Sequence, residues 1–440
     1  MRVIPVWEGD KAPLKKGFEG DFKGKNGETL LLYEEERVLL LGLGKKATEE
    51  SVRRAYAAAV RAARAKKFKS VNFVSPGKFE KGFVEGVLLT NYAFTEYKKD
   101  EVIEHISFIG LKDQKLLQKL ETIRDGIFWV RNLVNRNSDD KAPAQIAKLV
   151  QELGKGKLKA KILDKHKLHE EGMGLILAVN RASSHDPYLV QLSYHGNPKS
   201  KDHVVLVGKG VTYDTGGLSL KPTDGMLTMK CDMAGAATVL GAVKTAAELG
   251  LKVNVTALAP LTENCIDGKS YKPGDVYKAY NGKTVEITNT DAEGRLILAD
   301  ALSYAAKHLK PTCMIDLATL TGAIVIAIGE EMSGLFTKDE KLAKQLLKAS
   351  DETDELLWRM PINEDYKEAM KSEIADLVNS GGRDAGAIKA TLFLQEFTGD
   401  TPWAHIDIAG PAYLTKPKHY NTTHATGYGI RLLMEFLENR

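Results

Sequence analysis

The chain has 440 residues, 43% hydrophobic and 27% charged, with 62 Lys and Arg against 58 Asp and Glu for a net charge of +4. That length accommodates two domains with cores of their own, and the near-neutral balance argues against a nucleic-acid or membrane-surface protein. Three cysteines, Cys231, Cys265 and Cys313, are too few and too scattered for a disulfide framework or a Cys-x-x-Cys knuckle, so a reducing compartment is expected.

The N-terminal stretch MRVIPVWEGDKAPLKK has no apolar core of the kind a signal peptide needs, which makes the cytoplasm the expected location. Lysines cluster at Lys15, Lys16, Lys23 and Lys25, and again at Lys66, Lys67 and Lys69. A solvated face accounts for them; a DNA-docking surface is the competing reading, which the weak net charge and sparse aromatics disfavour. Residues 30–32 and 38–41 read as strands split by a charged turn, 48–66 as an Ala-rich helix and 70–74 as a further strand. This alternation predicts a small N-terminal α/β domain over residues 1–155, ending in a helix at 144–153 and the flexible joint Gly154-Lys155-Gly156-Lys157.

Residues 156–440 are expected to form a larger C-terminal catalytic domain, also α/β. Apolar runs at 175–179, 204–207, 253–258, 314–317 and 404–408 read as buried strands, with helices between them, the clearest at 234–249. Continuous apolar strands bounded by helices imply a mostly parallel central sheet covered by helices, with ligands at the carboxyl ends of its strands. The most apolar window, 317–328, is too short to span a bilayer, so no membrane partner is expected.

Two strand ends carry the chemistry. After 204–207 come Gly208-Lys209-Gly210, then Asp214-Thr215-Gly216-Gly217 and Lys221, with Asp232 just before the helix at 234–249. Further on, Val285-Glu286-Ile287 alternates as a strand, apolar residues from Gly294 recur at helical spacing, and 289–294 should be the tight turn between them. An extended turn places the carboxylates of Asp291 and Glu293 on one side. Arg295, at the helix start, would sit beside free backbone N–H groups where small anions bind.

Alone, each residue has an ordinary reading: Asp232 a helix cap, Lys209 a surface lysine, Asp214 a turn residue. Converging, four carboxylates cannot all stay ionised without compensation, and two divalent cations would balance −4 with +4. Oxygen-rich ligation suits Mg²⁺ or Mn²⁺, and Zn²⁺ less comfortably. Lys209 could join such a site only as the neutral amine.

The run Asn289-Thr290-Asp291-Ala292-Glu293-Gly294-Arg295-Leu296, taken with the glycine-rich segments above, Lys221 and Asp232-Met233-Ala234-Gly235, resembles the leucyl aminopeptidase (cytosol aminopeptidase) family. Segments 316–323, 382–387 and 403–411 agree, so the resemblance covers roughly residues 158–440. It implies a dinuclear metallopeptidase that hydrolyses the N-terminal residue, Leu-like preferred, from peptide substrates. One metal would be held by Lys209, Asp214, Asp232 and Glu293, the other by Asp214, Asp291 and Glu293; Mn²⁺ or Zn²⁺ is implied, with Mg²⁺ admitted by the ligand chemistry. The nucleophile would be a bridging hydroxide. Lys221 would polarise the scissile carbonyl and Arg295 would hold a bicarbonate acting as general base. Met229, Thr319 and Gly322 fall where the family lines its first side-chain pocket, and Asn289 and Leu320 complete the implied substrate-binding set. Kinship also implies a homohexamer.

Other signals fail. Gly268-Lys269-Ser270 and Gly282-Lys283-Thr284 lack the leading glycine of a P-loop, and neither a Gly-x-Ser-x-Gly elbow nor a His-Glu-x-x-His pair occurs. His405, in an apolar strand, reads as a satisfied core histidine. Arg383 and Asp384 read either as lining the site entrance or as a mutual pair. A two-metal phosphoesterase is the competing enzyme class, weakened by the lack of His ligands and by the specific fit of Lys209.

Overall fold

A computed structural model describes residues 1–13 and 20–440, so Lys15 and Lys16 of the first basic cluster lie outside the described residues. Two units emerge: Met1–Phe128 with Leu414–Thr426, and Trp129–Tyr413 with Gly427–Arg440.

In the first unit, strands β1 (Arg2–Val6), β2 (Thr29–Tyr33), β3 (Arg37–Gly42), β4 (Ser70–Val74) and β5 (His105–Ile109) form a sheet in the order β2-β3-β1-β4-β5. β2 and β3 make an antiparallel hairpin, while β1 runs parallel to β3 and β4, and β4 to β5. The Ala-rich segment is the helix Glu49–Ala65. Thr48 starts it with a reciprocal cap: its hydroxyl accepts from Ser51 N, and Ser51 Oγ accepts from Thr48 N. Small side chains at Ala55, Ala59 and Ala63 bury this face.

The second unit introduces β6 (Leu158–Leu163), β7 (Tyr188–His195), β8 (Val204–Gly208), β9 (Gly210–Asp214), β10 (Asn254–Asn264), β11 (Val276–Lys278), β12 (Thr284–Glu286), β13 (Cys313–Ala318), β14 (Ser333–Phe336), β15 (Leu357–Arg359), β16 (Leu377–Val378) and β17 (Trp403–Asp407). Its main sheet runs β15-β14-β17-β13-β8-β10-β7-β6, with β9 beside β10. The centre, β17 through β10, is parallel; β7 against β10, β6 against β7 and β14 against β17 are antiparallel. Every residue of β8, β10, β13 and β17 is buried, which is why these strands read as unbroken apolar runs. Helices Ala234–Leu249 and Glu293–His308 pack against this centre.

Two expectations change. Residues 175–179 lie in the helix Gly174–Asn180, not in a strand. A short run buried on nearly every side carries no period to tell helix from strand. Its first turn is held by Asp300 Oδ2, which accepts from Leu175 N at 2.9 Å and Ile176 N at 3.0 Å, a partner far away in sequence. The units also divide at 128/129 and not at 155, because helix Pro143–Leu153 packs on β6 and β7. Among the described residues, Thr223–Leu249 has the length and hydropathy of a membrane span, but 72% of its most apolar window is buried within the protein.

Candidate active site

Lys209 lies between β8 and β9, at the carboxyl end of the sheet's centre. Its N–H donates to Leu317 O at 3.0 Å and its carbonyl accepts from Ala236 N at 2.8 Å, so both neighbours fix the backbone. The side chain crosses Gly294, where an added Cβ would lie 2.5 Å from Lys209 Cε and 2.7 Å from Nζ. Glycine is required there by close approach. Nζ lies 2.7 Å from Asp232 Oδ1 and 3.0 Å from Glu293 Oε1, and donates to Thr319 O at 2.9 Å.

Asp232 does not cap the helix. It follows the 3₁₀ turn Met229–Cys231, and the helix begins at Ala234 with no side-chain cap. Its Oδ1 accepts from the Thr319 hydroxyl at 2.7 Å as well as from Lys209.

Asp214 is aimed by a bulge: Val211 faces Thr262 and Asp214 faces Asn264, so β9 carries one more residue than β10 in this interval. Its Oδ1 accepts from Asn264 Nδ2 and from Gly216 N, both at 2.8 Å. Lys221 Nζ sits 2.8 Å from Asp214 Oδ2 and 2.5 Å from Asp291 Oδ1.

The turn carrying Asp291 and Glu293 is clamped from outside. Asn289 Oδ1 accepts from Asp291 N at 2.9 Å. Asn379 Oδ1 accepts from Thr288 N at 2.9 Å, and its Nδ2 donates to Asn289 O at 2.7 Å. Tyr271 Oη and Asn264 Nδ2 donate to Thr290 O at 2.6 and 3.0 Å, and the Thr290 hydroxyl donates to Gly216 O at 2.7 Å. Asn264, Tyr271 and Asn379 were not singled out from the sequence. Asn264 ends β10, beyond the strand expected at 253–258; Asn379 sits in a loop with no sequence signal.

One oxygen each of Asp214, Asp291 and Glu293 lies within 4.8 Å of the others. Two lysines face four carboxylates, which leaves negative charge uncompensated. Burial, reinforced by Asp214, pushes Glu293 up to about 8, and burial pushes Asp232 up to about 6 and Asp291 upward, against the pull of the lysines. Burial opposes the charged form of Lys209 and Lys221, but the surrounding carboxylates hold both well above the ordinary lysine range. Asp232 Oδ2 and Glu293 Oε2 are buried with no hydrogen-bond donor. Such orphaned oxygens are what cation ligation satisfies, so the donor set fits divalent metals. A cation in place of the Lys209 proton would reverse the direction of its shift.

Arg295, in the first turn of Glu293–His308, is buried. Nη1 donates to Asn379 O at 2.9 Å, while the buried Nε has no partner. Burial pushes it down to about 10 despite Glu293 and Asp407 nearby, and among the described residues no carboxylate forms an ion pair with it. A buried guanidinium with a free donor fits a small anion.

Met229 is half-buried one turn before Asp232. Thr319 bridges Lys209 and Asp232, and Leu320 N donates to Asp407 Oδ1 at 3.1 Å. Gly322 opens the helix Gly322–Ile328 and is exposed, with nothing within 4 Å of an added Cβ. His405 is a core histidine, fully buried, with Nδ1 2.7 Å from Asp316 Oδ1 and its ring stacked with Phe336 and Trp403; only its Nε2 lacks a partner. Arg383 and Asp384 are exposed and, among the described residues, do not pair with each other.

Carboxylates and lysines gathered at the carboxyl ends of a largely parallel sheet, with orphaned oxygens at their centre, define a metallohydrolase of the α/β class. Residues 128–434 match the catalytic domain of the cytosol aminopeptidase family, and residues 18–101 match its N-terminal domain. The chain is 48% identical to the "Probable cytosol aminopeptidase" of Protochlamydia amoebophila and 46% identical to that of Chlamydia felis, in each case over 99% of this chain and 95% of the relative. Among solved structures it is similar to the bottromycin maturation enzyme BotP, with a TM-score of 0.92 and 33% identity over 100% of this chain and 98% of that one; a second such structure is a complex with Mn. The chain belongs to the cytosol aminopeptidase family, and it is a peptide hydrolase, a metal-dependent aminopeptidase.

Proposed function

We propose that the protein removes the N-terminal residue of peptides, Leu-like preferred, at the cluster of Lys209, Asp214, Asp232, Asp291 and Glu293. The observation that carries this is the donorless, buried pair Asp232 Oδ2 and Glu293 Oε2 beside carboxylates gathered from separate strand ends. Lys209, Asp214, Asp232 and Glu293 would hold one cation, and Asp214, Asp291 and Glu293 the other. When bound, two divalent cations supply a hydroxide nucleophile at neutral pH and Lewis acidity toward the substrate.

This chain's own residues do the rest. Lys221, kept charged by Asp214 and Asp291, points a donor into the cluster, where it stabilises negative charge developing on the carbonyl oxygen. Arg295, through its unpartnered Nε, would hold the bicarbonate that serves as general base. Met229, Thr319 and Gly322 would line the first side-chain pocket, and the open space at Gly322 leaves room for a Leu-like group. Asn289 acts by fixing the backbone of Asp291, and Leu320 is set by its bond to Asp407. Mn²⁺ is the favoured metal on the strength of BotP's complex with Mn, with Zn²⁺ and Mg²⁺ as alternatives. A cytoplasmic location and a homohexamer are proposed from kinship. Chelator-stripped protein should hydrolyse Leu-p-nitroanilide only after Mn²⁺ is restored; release that ignores the metal, or none at all, overturns this reading.

A further inference from the structure

The carboxyl end of β10 serves two sides. Asn264 turns toward Asp214 and Thr290, so its neighbours Glu263 and Cys265 face the other way. Glu263 is only 6% exposed. Its Oε2 accepts from the Ser183 hydroxyl at 2.6 Å and lies 3.8 Å from Cys265 Sγ. Among the described residues, no lysine or arginine forms an ion pair with it. A buried carboxylate without a cation is costly, and the site points to one.

The other donors are at hand. Donor atoms of Asp139, His185 and Glu263 lie within 4.8 Å of one another, and His185 Nε2 is 3.9 Å from Asp139 Oδ1; Cys265 Sγ, 3.8 Å from Glu263 Oε2, stands outside that group and must turn into it. His185 is fixed by its backbone: its carbonyl accepts from Asn180 Nδ2 at 2.8 Å, and its N–H donates to Ser183 Oγ at 3.0 Å. Ser183 therefore ties the histidine to Glu263 through a single hydroxyl.

We propose that Asp139, His185, Glu263 and Cys265 form a further metal site, separate from the catalytic carboxylates, that takes one Zn²⁺ ion. One imidazole nitrogen, two carboxylate oxygens and one thiolate sulfur make a four-coordinate set of the kind zinc accepts. Tetrahedral zinc places its ligand atoms roughly 3.3–3.6 Å apart, so the group must contract. The exposed Asp139 side chain is free to swing inward. Zinc binding there would release the Cys265 thiol proton to solvent. The ion would brace the strand end that presents Asn264 to Asp214.

Cobalt titration of chelator-stripped protein tests this. Wild type should develop a thiolate-to-cobalt charge-transfer band in the near ultraviolet. Cys231→Ser and Glu293→Gln should keep the band, Cys265→Ser should lose it, and His185→Ala should weaken cobalt binding at that site by at least about tenfold. Circular dichroism identifies any variant that fails to fold. A missing band in wild type, a band that survives Cys265→Ser, or one lost instead with Cys231→Ser, the thiol next to Asp232, overturns the proposal. Keeping Glu293→Gln in the series separates its failure from failure of the catalytic assignment.

Discussion

Lys209 and Lys221 share four carboxylates yet stand in different places. Lys209 is enclosed between Asp232, Glu293 and the Thr319 carbonyl, whereas Lys221 reaches in from the loop after β9 to Asp214 and Asp291. Lys221→Met should therefore retain bound metal, measured by elemental analysis, while kcat falls on the order of 10²–10³-fold, as when one donor to a developing oxyanion is lost. Gly294→Ala acts on the other lysine. Its methyl would overlap Lys209 Cε, which lies 2.5 Å from the added atom, and must push the amine aside. A displacement of that size should cost roughly 10²-fold in kcat with the circular dichroism spectrum unchanged. Unaltered kcat in this variant would show that the Lys209 stem need not pass so close. The signature run named Gly294 from the sequence, but what it must avoid belongs to a strand end far away in the chain.

At the scale of elements, the 3₁₀ turn Met229–Cys231 carries Asp232 to the cluster and needs an anchor. Lys141, fully buried, supplies one: its Nζ donates to Lys230 O at 2.6 Å and to Val134 O at 2.5 Å. Burial, with Lys230 and Arg136 nearby, pushes it down to about 7. Because the unfolded chain keeps an ordinary lysine, near 10.4, the unfolded state binds more protons between these values. The contribution is thus fully present above the unfolded value and is lost as pH falls through about 7. Urea unfolding at about pH 6 and about pH 9 should show wild type gaining stability with pH relative to Lys141→Met. Equal slopes for the two proteins would count against a buried neutral lysine. No local pattern pointed to Lys141, since its partners are backbone carbonyls.

For the whole molecule, the clustered carboxylates come from β9, the turn before Ala234–Leu249, and the turn and first residue of Glu293–His308, so a cation bound among them would tie together distant parts of the second unit. A ligand that binds only the folded state stabilises it by mass action. Adding Mn²⁺ to chelator-treated protein should raise the melting temperature of wild type in a concentration-dependent way, and that of an Asp291→Asn variant clearly less. A shift of the same size in both would place the stabilising cation elsewhere.

By itself the sequence determined the α/β class, the buried central strands, the helix Ala234–Leu249, and the turn at Asp291 that leads into a helix carrying Arg295 in its first turn. All follow from local periodicity and turn chemistry, which a single stretch of chain carries. Only the tertiary structure decided that 175–179 is a helix held by Asp300, that Asp232 abandons the cap role for Lys209 and Thr319, and that Asn264 and Asn379 clamp Asp214 and the turn at Asn289. The reason is physical: each of these rests on a hydrogen bond between residues far apart in the chain, and burial alone sets which partner a polar group must take.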